Sequence, residues 1–143
     1  MTARYEGGAA APERLKFQDF GFQRLPNGRC RARVVLSYSD GRQFVGESEG
    51  VTSQAGELRC AATAAVEALD RVTQPALSFE LLGVKSVRAF DATVLIVSLS
   101  AREAAEARRL VGSFLTDADA PRGAALAVLN ATNRILGNYF ATR

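Results

Sequence analysis

The chain has 143 residues, of which 48% are apolar and 23% are charged, and its net charge is +3. These values are typical of one soluble globular domain with a real core, and so mild a positive charge permits an anionic partner without requiring one. Because the sequence contains no histidine, it excludes a Ser–His or Cys–His nucleophile and a zinc site of the Cys/His type.

We therefore expect a function that is not enzymatic, with no catalytic residue, no metal and no cofactor. No apolar run reaches the roughly 18 residues that span a bilayer, and Met1 to Lys16 lack the apolar core of a secretory signal. A cytoplasmic protein without a membrane partner is expected. Cys30 and Cys60 are expected to be reduced and structural, as is usual in that compartment.

The first half of the chain predicts three strands followed by a helix. Residues 1–14 are rich in alanine and glycine without periodicity, which predicts a flexible tail and leaves residues 15–143 as a single domain. Turn signals at Pro26-Asn27-Gly28 and Ser39-Asp40-Gly41 separate the strands. The elements are predicted over Leu15–Phe22 with a bulge near Asp19, Arg31–Tyr38, Gln43–Ser48 and, as a helix with an alanine-rich buried stripe, Glu57–Val72.

The second half predicts the same series of elements. Its strands are expected over Leu77–Val87, Ala92–Leu99 and Arg108–Leu115, and its helix over Arg122–Phe140. The charged segment Ser100–Ala107 is predicted to be a solvated loop or a single helical turn. The predicted fold class is α+β, with two βββα units in tandem (residues 15–73 and 77–140), antiparallel sheets and two alanine-rich helices packed on them.

Short matching segments indicate that the two units are an internal duplication. Phe44-Val45-Gly46 parallels Leu110-Val111-Gly112, and Ser37-Tyr38-Ser39 parallels Ser98-Leu99-Ser100. The offset between the units is 66 residues at the glycine, 61 at the serines and 63 in the helices. Insertions and deletions therefore fall in loops, where a genuine duplication tolerates them.

The second strand of each unit alternates, and this alternation distinguishes two faces. The outward residues of the first unit include Arg31 and Arg33, whereas those of the second unit are Val94, Ile96 and Ser98. An apolar outward face in one unit only indicates that it is covered, either by the other unit or by a second subunit. We favour a homodimer with Val94, Ile96 and Ser98 at its interface.

The whole pattern is similar to a known regulatory domain. Between Leu15 and Phe140, a glycine-containing strand (Phe44-Val45-Gly46), a polar loop and an alanine-rich helix occur in a duplicated βββα order. This order resembles the C-terminal regulatory, dimer-forming domain of the 2-isopropylmalate synthase and citramalate synthase family. The resemblance implies a domain without chemistry of its own that binds an amino-acid effector at a subunit interface. We therefore expect a small-ligand-binding regulatory module or a protein-interaction module.

A ligand site is predicted beside the first copy of the glycine strand. Gly46 lies inside that strand, which indicates a bulge, close packing of a helix, or a backbone opening for a small ligand. The loop before the first helix has free N–H groups that either bind an anion or are capped by side chains. The predicted ligand-binding residues are Gly46, Ser53, Gln54, Gly56 and Arg59.

The alternative function is nucleic-acid binding, because Arg31–Leu69 resembles the strands and last helix of a double-stranded-RNA-binding domain. Such domains usually carry a lysine cluster at the start of that helix, facing phosphate, whereas this helix begins with Glu57 and Arg59. Nucleic acid is therefore not expected as a partner. Four arginines form either a basic patch or a solvated hairpin: Arg31, Arg33, Arg42 and Arg59. An enzyme that uses carboxylates ranks third, with Glu47, Glu49, Asp117 and Asp119 as its acids.

Overall fold

The structure, a computed structural model, describes residues 15–141 and the side chains of residues 15–136. The predicted N-terminal tail lies outside the described residues. The first unit contains strands β1 (Lys16–Leu25), β2 (Arg29–Ser37) and β3 (Gln43–Val51) and helix α1 (Gln54–Thr73). The second contains strands β4 (Ser78–Ala89), β5 (Ala92–Glu103) and β6 (Glu106–Thr116) and helix α2 (Ala120–Ala141). The predicted α+β class and the tandem βββα order are confirmed.

The two helices lie between the two sheets. Both sheets are antiparallel and three-stranded, in the orders β1–β2–β3 and β4–β5–β6. Helix α1 packs on β2 and β3 and also contacts β4 and α2, while α2 packs on β5 and β6. At its start, α2 brings the guanidinium of Arg122 to 5.3 Å from the ring of Phe17 in β1. Each sheet thus has an inner face against the helices, where the core lies, and an outer face that points away from them.

Helix α1 meets its sheet at a glycine of the last strand. A Cβ atom on Gly46 of β3 would overlap the carbonyl oxygen of Ala64 and the amide nitrogen of Ala68. Only a hydrogen atom at this position leaves room for the helix backbone, and the small side chains of Ala64 and Ala68 let that backbone approach. The predicted close packing of an alanine-rich helix on the sheet is confirmed.

The second unit repeats this contact at equivalent residues. A Cβ atom on Gly112 of β6 would overlap the carbonyl oxygen of Ala127 and the amide nitrogen of Ala131 in α2. The equivalent atoms are therefore offset by 66 residues at the glycine and by 63 in the helix, and both predicted offsets are confirmed.

The predicted alignment of the second strands is wrong by two residues. We call Gly46 and Gly112, which touch the helix backbones, the contact glycines. The residue paired with the contact glycine is Val34 in β2 and Val97 in β5, an offset of 63 residues. Ser37 is therefore equivalent to Ser100 rather than to Ser98. An alternating strand presents a similar pattern at every second residue, so a short match fits two registers. Because the shift is even, the inward and outward sets stay the same.

The segment predicted as a loop or a helical turn is a β-hairpin. Strand β5 continues to Glu103, β6 begins at Glu106, and only Ala104 and Ala105 form the turn between them. Pairing of the two strands satisfies backbone N–H and C=O groups along the whole segment. This gain outweighs the helix propensity of its alanines and the capping-box pattern.

A side chain of each helix bonds to the edge strand next to the contact glycine. The carboxylate of Glu67 accepts a hydrogen bond from the backbone N–H of Glu47 at 2.9 Å. In the second unit the side-chain amide of Asn130 donates to the backbone carbonyl of Ser113 at 2.8 Å. The two bonds occupy equivalent positions with opposite polarity, and each satisfies one backbone group of an edge strand.

Helix α1 is also tied to the second unit through Asp70. Its carboxylate accepts a hydrogen bond of 2.9 Å from the backbone N–H of Phe79 in β4. Burial raises the pKa of Asp70 above its ordinary value, although the bond from Phe79 acts in the opposite direction. The link between the units therefore holds a partly desolvated charge.

Replacing Gly46 by alanine is expected to lower the free energy of unfolding by about 3 kcal/mol, because the added methyl group forces α1 away from β3. Chemical denaturation measures this change. The matched control is G21A in β1, where an added Cβ meets nothing within 4 Å, and its effect is expected to stay within about 0.5 kcal/mol. A G46A protein as stable as G21A would contradict the close contact.

Replacing Asp70 by asparagine is expected to keep the bond to Phe79 through the amide oxygen and to remove the charge. Because the folded-state pKa of Asp70 is raised, its contribution to stability is fully present below the ordinary pKa and is lost as the pH rises through the folded-state pKa. The free energy of unfolding of the wild type minus that of D70N is therefore expected to fall from acid to neutral pH. Denaturation at several pH values measures it, and a constant difference would refute the raised pKa.

Candidate interaction surface on the second sheet

The loop before α1 uses two of its predicted ligand-binding groups for helix capping. Ser53 is the N-cap, and its Oγ accepts a hydrogen bond from the N–H of Gly56 at 3.0 Å. Gly56 in turn lies against the carbonyl oxygen of Val51, with no room for a Cβ atom. Gln54 and Arg59 are exposed beside this cap. Ligand binding by Ser53, Gln54, Gly56 and Arg59 stays a prediction.

Gly46 does not belong to the same site. It faces Ala64, which lies ten residues along α1 from Gln54, or about 15 Å of helix. The helix backbone fills the space in front of Gly46. Of the predicted alternatives, close packing of a helix therefore accounts for this glycine, and ligand binding by Gly46 stays a prediction.

The outer face of the first sheet carries a series of ion pairs, here called the ion-pair ladder (Arg31, Arg33, Glu47 and Glu49). Arg31 donates two hydrogen bonds to Glu49, at 2.7 and 3.1 Å, and Arg33 lies 3.5 Å from Glu47. The hydrogen bonds and the charge of Arg31 lower the pKa of Glu49. These side chains are about half exposed, as is typical of a sheet face in contact with water. Exposed pairs of this kind contribute little to stability.

The outer face of the second sheet carries exposed or partly buried apolar side chains on all three of its strands. Its apolar side chains, here called the apolar face, are Val87, Val94, Ile96, Val111 and Leu115. Val111 and Leu115 on the edge strand are 65% and 61% exposed, while Val94, Ile96 and Ser98 on the central strand are partly buried. Residues 15–141 leave this face uncovered. Of the two predicted alternatives, coverage by the other unit is therefore excluded for the described chain.

Equivalent positions on the two outer faces carry opposite kinds of side chain. The pairing of the contact glycines sets the same register in both sheets. In that register, uncharged residues of the second sheet occupy the four ladder positions: Ile96 for Arg33, Ser113 for Glu47, Val94 for Arg31 and Leu115 for Glu49. The duplicated framework thus presents one face suited to water and one suited to another apolar surface.

The two cysteines are free and buried, as expected. Burial raises the pKa of the Cys60 thiol to about 11, and its Sγ lies 3.2 Å from the carbonyl oxygen of Ser48. The Cys60 thiol is therefore protonated at neutral pH and is a poor nucleophile. Within residues 15–141, no group of three or more Cys, Asp or Glu side chains is arranged to hold a metal ion.

The arginines of the first unit are largely ion-paired. Arg31 and Arg33 belong to the ladder, and Arg42 lies 2.8 Å from Asp40. Arg59 forms no ion pair with the residues whose side chains are described. Three of the four arginines are therefore ion-paired side chains of a solvated hairpin and do not form a basic patch. Among these four, only Arg59 has no carboxylate partner within the described residues and could bind an anion.

The two flanking strands add exposed apolar side chains to the face that holds the three residues predicted for the interface. Val87 on β4 and Val111 and Leu115 on β6 were not among the predicted residues, although they supply most of the exposed apolar surface of this face. The alternation of Val111, Ser113 and Leu115 in β6 is a signal that could have placed them together on one face. Assigning that face to the outside requires the strand register, which the structure supplies.

Comparisons with known proteins assign no family to the chain. No protein-family model matches its sequence, and no curated protein matches it. Neither of the two described helices is long and apolar enough to cross a membrane. A functional proposal therefore rests on the geometry of the two outer faces.

Replacing Ser53 by alanine is expected to lower the free energy of unfolding by about 1 kcal/mol, because the N–H of Gly56 loses its acceptor. Thermal or chemical denaturation measures the loss. The neighbouring exposed residue Gln54 provides the control, since Q54A is expected to change stability by no more than about 0.5 kcal/mol. If S53A costs no more than Q54A, Ser53 does not cap α1 in solution.

Proposed function

We propose that this chain is a non-enzymatic protein-interaction module that forms a homodimer through the outer face of its second sheet. One observation carries the proposal: the apolar face occupies the positions that the ion-pair ladder occupies in the other unit. A contiguous exposed apolar surface is unfavourable in water and marks a contact with another surface. A second copy presents the same apolar surface, so no further component is needed to cover it.

The whole outer face of the second sheet, with its apolar and its charged rows, is large enough for a stable dimer. Its central strand β5 has 12 residues, and three such strands form a face about 40 Å long and about 14 Å wide. The flat area is then about 550 Å², and the relief of the side chains raises the accessible area towards the roughly 800 Å² per partner of standard interfaces.

The regulatory part of the proposal rests on the resemblance to the dimer-forming domain of the 2-isopropylmalate synthase and citramalate synthase family. The resemblance implies an amino-acid ligand at the subunit interface, and a ligand bound there changes the dissociation constant of the dimer. Nucleic-acid binding gains no support from the first sheet, because the arginines on its outer face are ion-paired.

Transplanting the ladder onto the apolar face is expected to convert the dimer into a monomer. The variant V94R/I96R/S113E/L115E reproduces on the second sheet the arrangement of ion pairs that the first sheet already accommodates. Its fold is therefore expected to persist while its apolar contact is lost. Sedimentation velocity over a range of concentrations measures assembly, and circular dichroism checks the fold.

The matched control exchanges the charges of an existing ladder pair in R33E/E47R, and this variant is expected to remain dimeric. A wild-type chain that is monomeric at every concentration would refute the proposal, and so would a folded graft variant that still dimerises. The same sedimentation measurement with amino acids tests the regulatory part. A dissociation constant that no amino acid changes removes that part and leaves the dimer.

A further inference from the structure

On the outer face of the second sheet, paired residues form rows that cross the three strands. In four of these rows, the residue on β4 complements the residue on β6. Strand β5 runs along the middle, with β4 on one side and β6 on the other. The row through Val94 ends in Val87 on β4 and Leu115 on β6, which are both apolar. Two rows further along, the row through Ser98 ends in Gly83 on β4 and Val111 on β6. One end of this row is therefore open space, and the other is a protruding side chain.

The rows through Ser100 and Ile96 are complementary in polarity. The row through Ser100 ends in Glu80 on β4 and Arg109 on β6, two exposed residues of opposite charge. The row through Ile96 ends in Lys85 and Ser113, which are both polar. Each of these four rows would therefore fit a copy of itself turned end for end.

Two copies can stack face to face about a twofold axis that lies between their sheets. An axis perpendicular to the strands exchanges the two ends of the sheet and leaves β4 facing β4. If such an axis passes through the Ile96 row, Lys85 lies against Lys85 of the partner subunit. An axis along β5 instead exchanges β4 with β6, so every row meets itself in reverse. The second arrangement creates these contacts: Val87 with Leu115 of the partner subunit, Gly83 with Val111 of the partner subunit, and Glu80 with Arg109 of the partner subunit.

We propose that the homodimer forms about a twofold axis parallel to β5, an inference that rests on the proposed function above. Val94, Ile96 and Ser98 then lie on the axis, and each contacts its own copy. Packed sheets cross at about 30°, and the long side chains of Glu80 and Arg109 can span the lateral offset that this angle produces. Arg102 also meets its own copy, but at the open end of the face, where salt and water screen the two charges.

The hairpin between β4 and β5 carries an exposed aromatic ring at the end of the sheet that holds the Val94 row. Phe90 is 97% exposed, and its φ of 55° is followed by a φ of 60° at Asp91. Positive φ at both positions is typical of a type I′ turn, which favours Asn-Gly and disfavours a bulky ring. With the axis along β5, this hairpin lies next to the end of β6 in the second copy, the end that carries Leu115 of the partner subunit.

Single cysteines on β5 test the direction of the axis. V94C and S98C are each expected to cross-link to their own copies through a short bismaleimide, because both residues lie on an axis along β5. With an axis across the strands through the Ile96 row, Val94 meets Ser98 instead, and only a mixture of the two variants cross-links. The controls are the wild type, whose native cysteines are buried, and R33C on the outer face of the first sheet; neither is expected to give a cross-linked dimer.

A charge exchange tests the pairing of the two edge strands. E80R and R109E are each expected to raise the dissociation constant of the dimer about tenfold, because each replaces two symmetry-related attractions by repulsions. The double variant E80R/R109E restores both pairs with reversed polarity. Its dissociation constant is expected to lie within about threefold of the wild-type value, since paired changes of contacting residues compensate each other.

The outcomes separate this inference from the proposed function. A monomeric wild type overturns both. A wild-type dimer that the ladder graft dissociates upholds the function, and self-cross-linking of V94C and S98C together with rescue by E80R/R109E upholds the axis. If that dimer forms but neither cysteine variant cross-links to itself, or the charge exchange gives no rescue, the axis along β5 is wrong and the dimer stands.

Discussion

The contact between each helix backbone and a strand glycine is the constraint on which the rest of the structure depends. At Gly46 and Gly112 the helix lies so close that no Cβ atom fits between it and the strand, and the helix residues at the contact are alanines. The sides of the helices that point away from their own sheet are also apolar, and they are buried in the common core between the two sheets. The inner faces of both sheets are therefore committed to the core, and only the outer faces are free to differ.

The outer faces are one place where the two repeated units differ. Their strand registers agree around the contact glycines, so the positions of the ion-pair ladder and of the apolar face correspond one to one. Neither set of side chains contributes to the contact between helix and sheet. The choice between charge and apolar surface at these positions is thus decoupled from the fold, and that is why a change of function can be concentrated there.

Periodicity and small residues made the fold predictable. Alternation in β2 and β5 gave the correct inward and outward sets, and the recurring glycine strand followed by an alanine-rich helix gave the duplication. The strand register was harder, because a pattern with a period of two fits equally well after a shift of two residues. The role of Gly46 was open for another reason: whether a helix or a ligand lies over a strand glycine depends on distant parts of the chain. The hairpin at Ala104 was missed because strand pairing overrode local helix propensity.

The similarity of the two glycine contacts has a consequence for the fidelity of folding. Each glycine accepts two alanines one helical turn apart, so this contact alone does not distinguish α1 from α2. The neighbouring bonds do: Glu67 offers an acceptor to the N–H of Glu47, whereas Asn130 offers a donor to the carbonyl of Ser113. Placing α1 on the second sheet would set a carboxylate against a carbonyl oxygen, two acceptors with no proton between them. This mismatch disfavours folds in which the two helices have exchanged sheets, and it directs each helix to its own sheet.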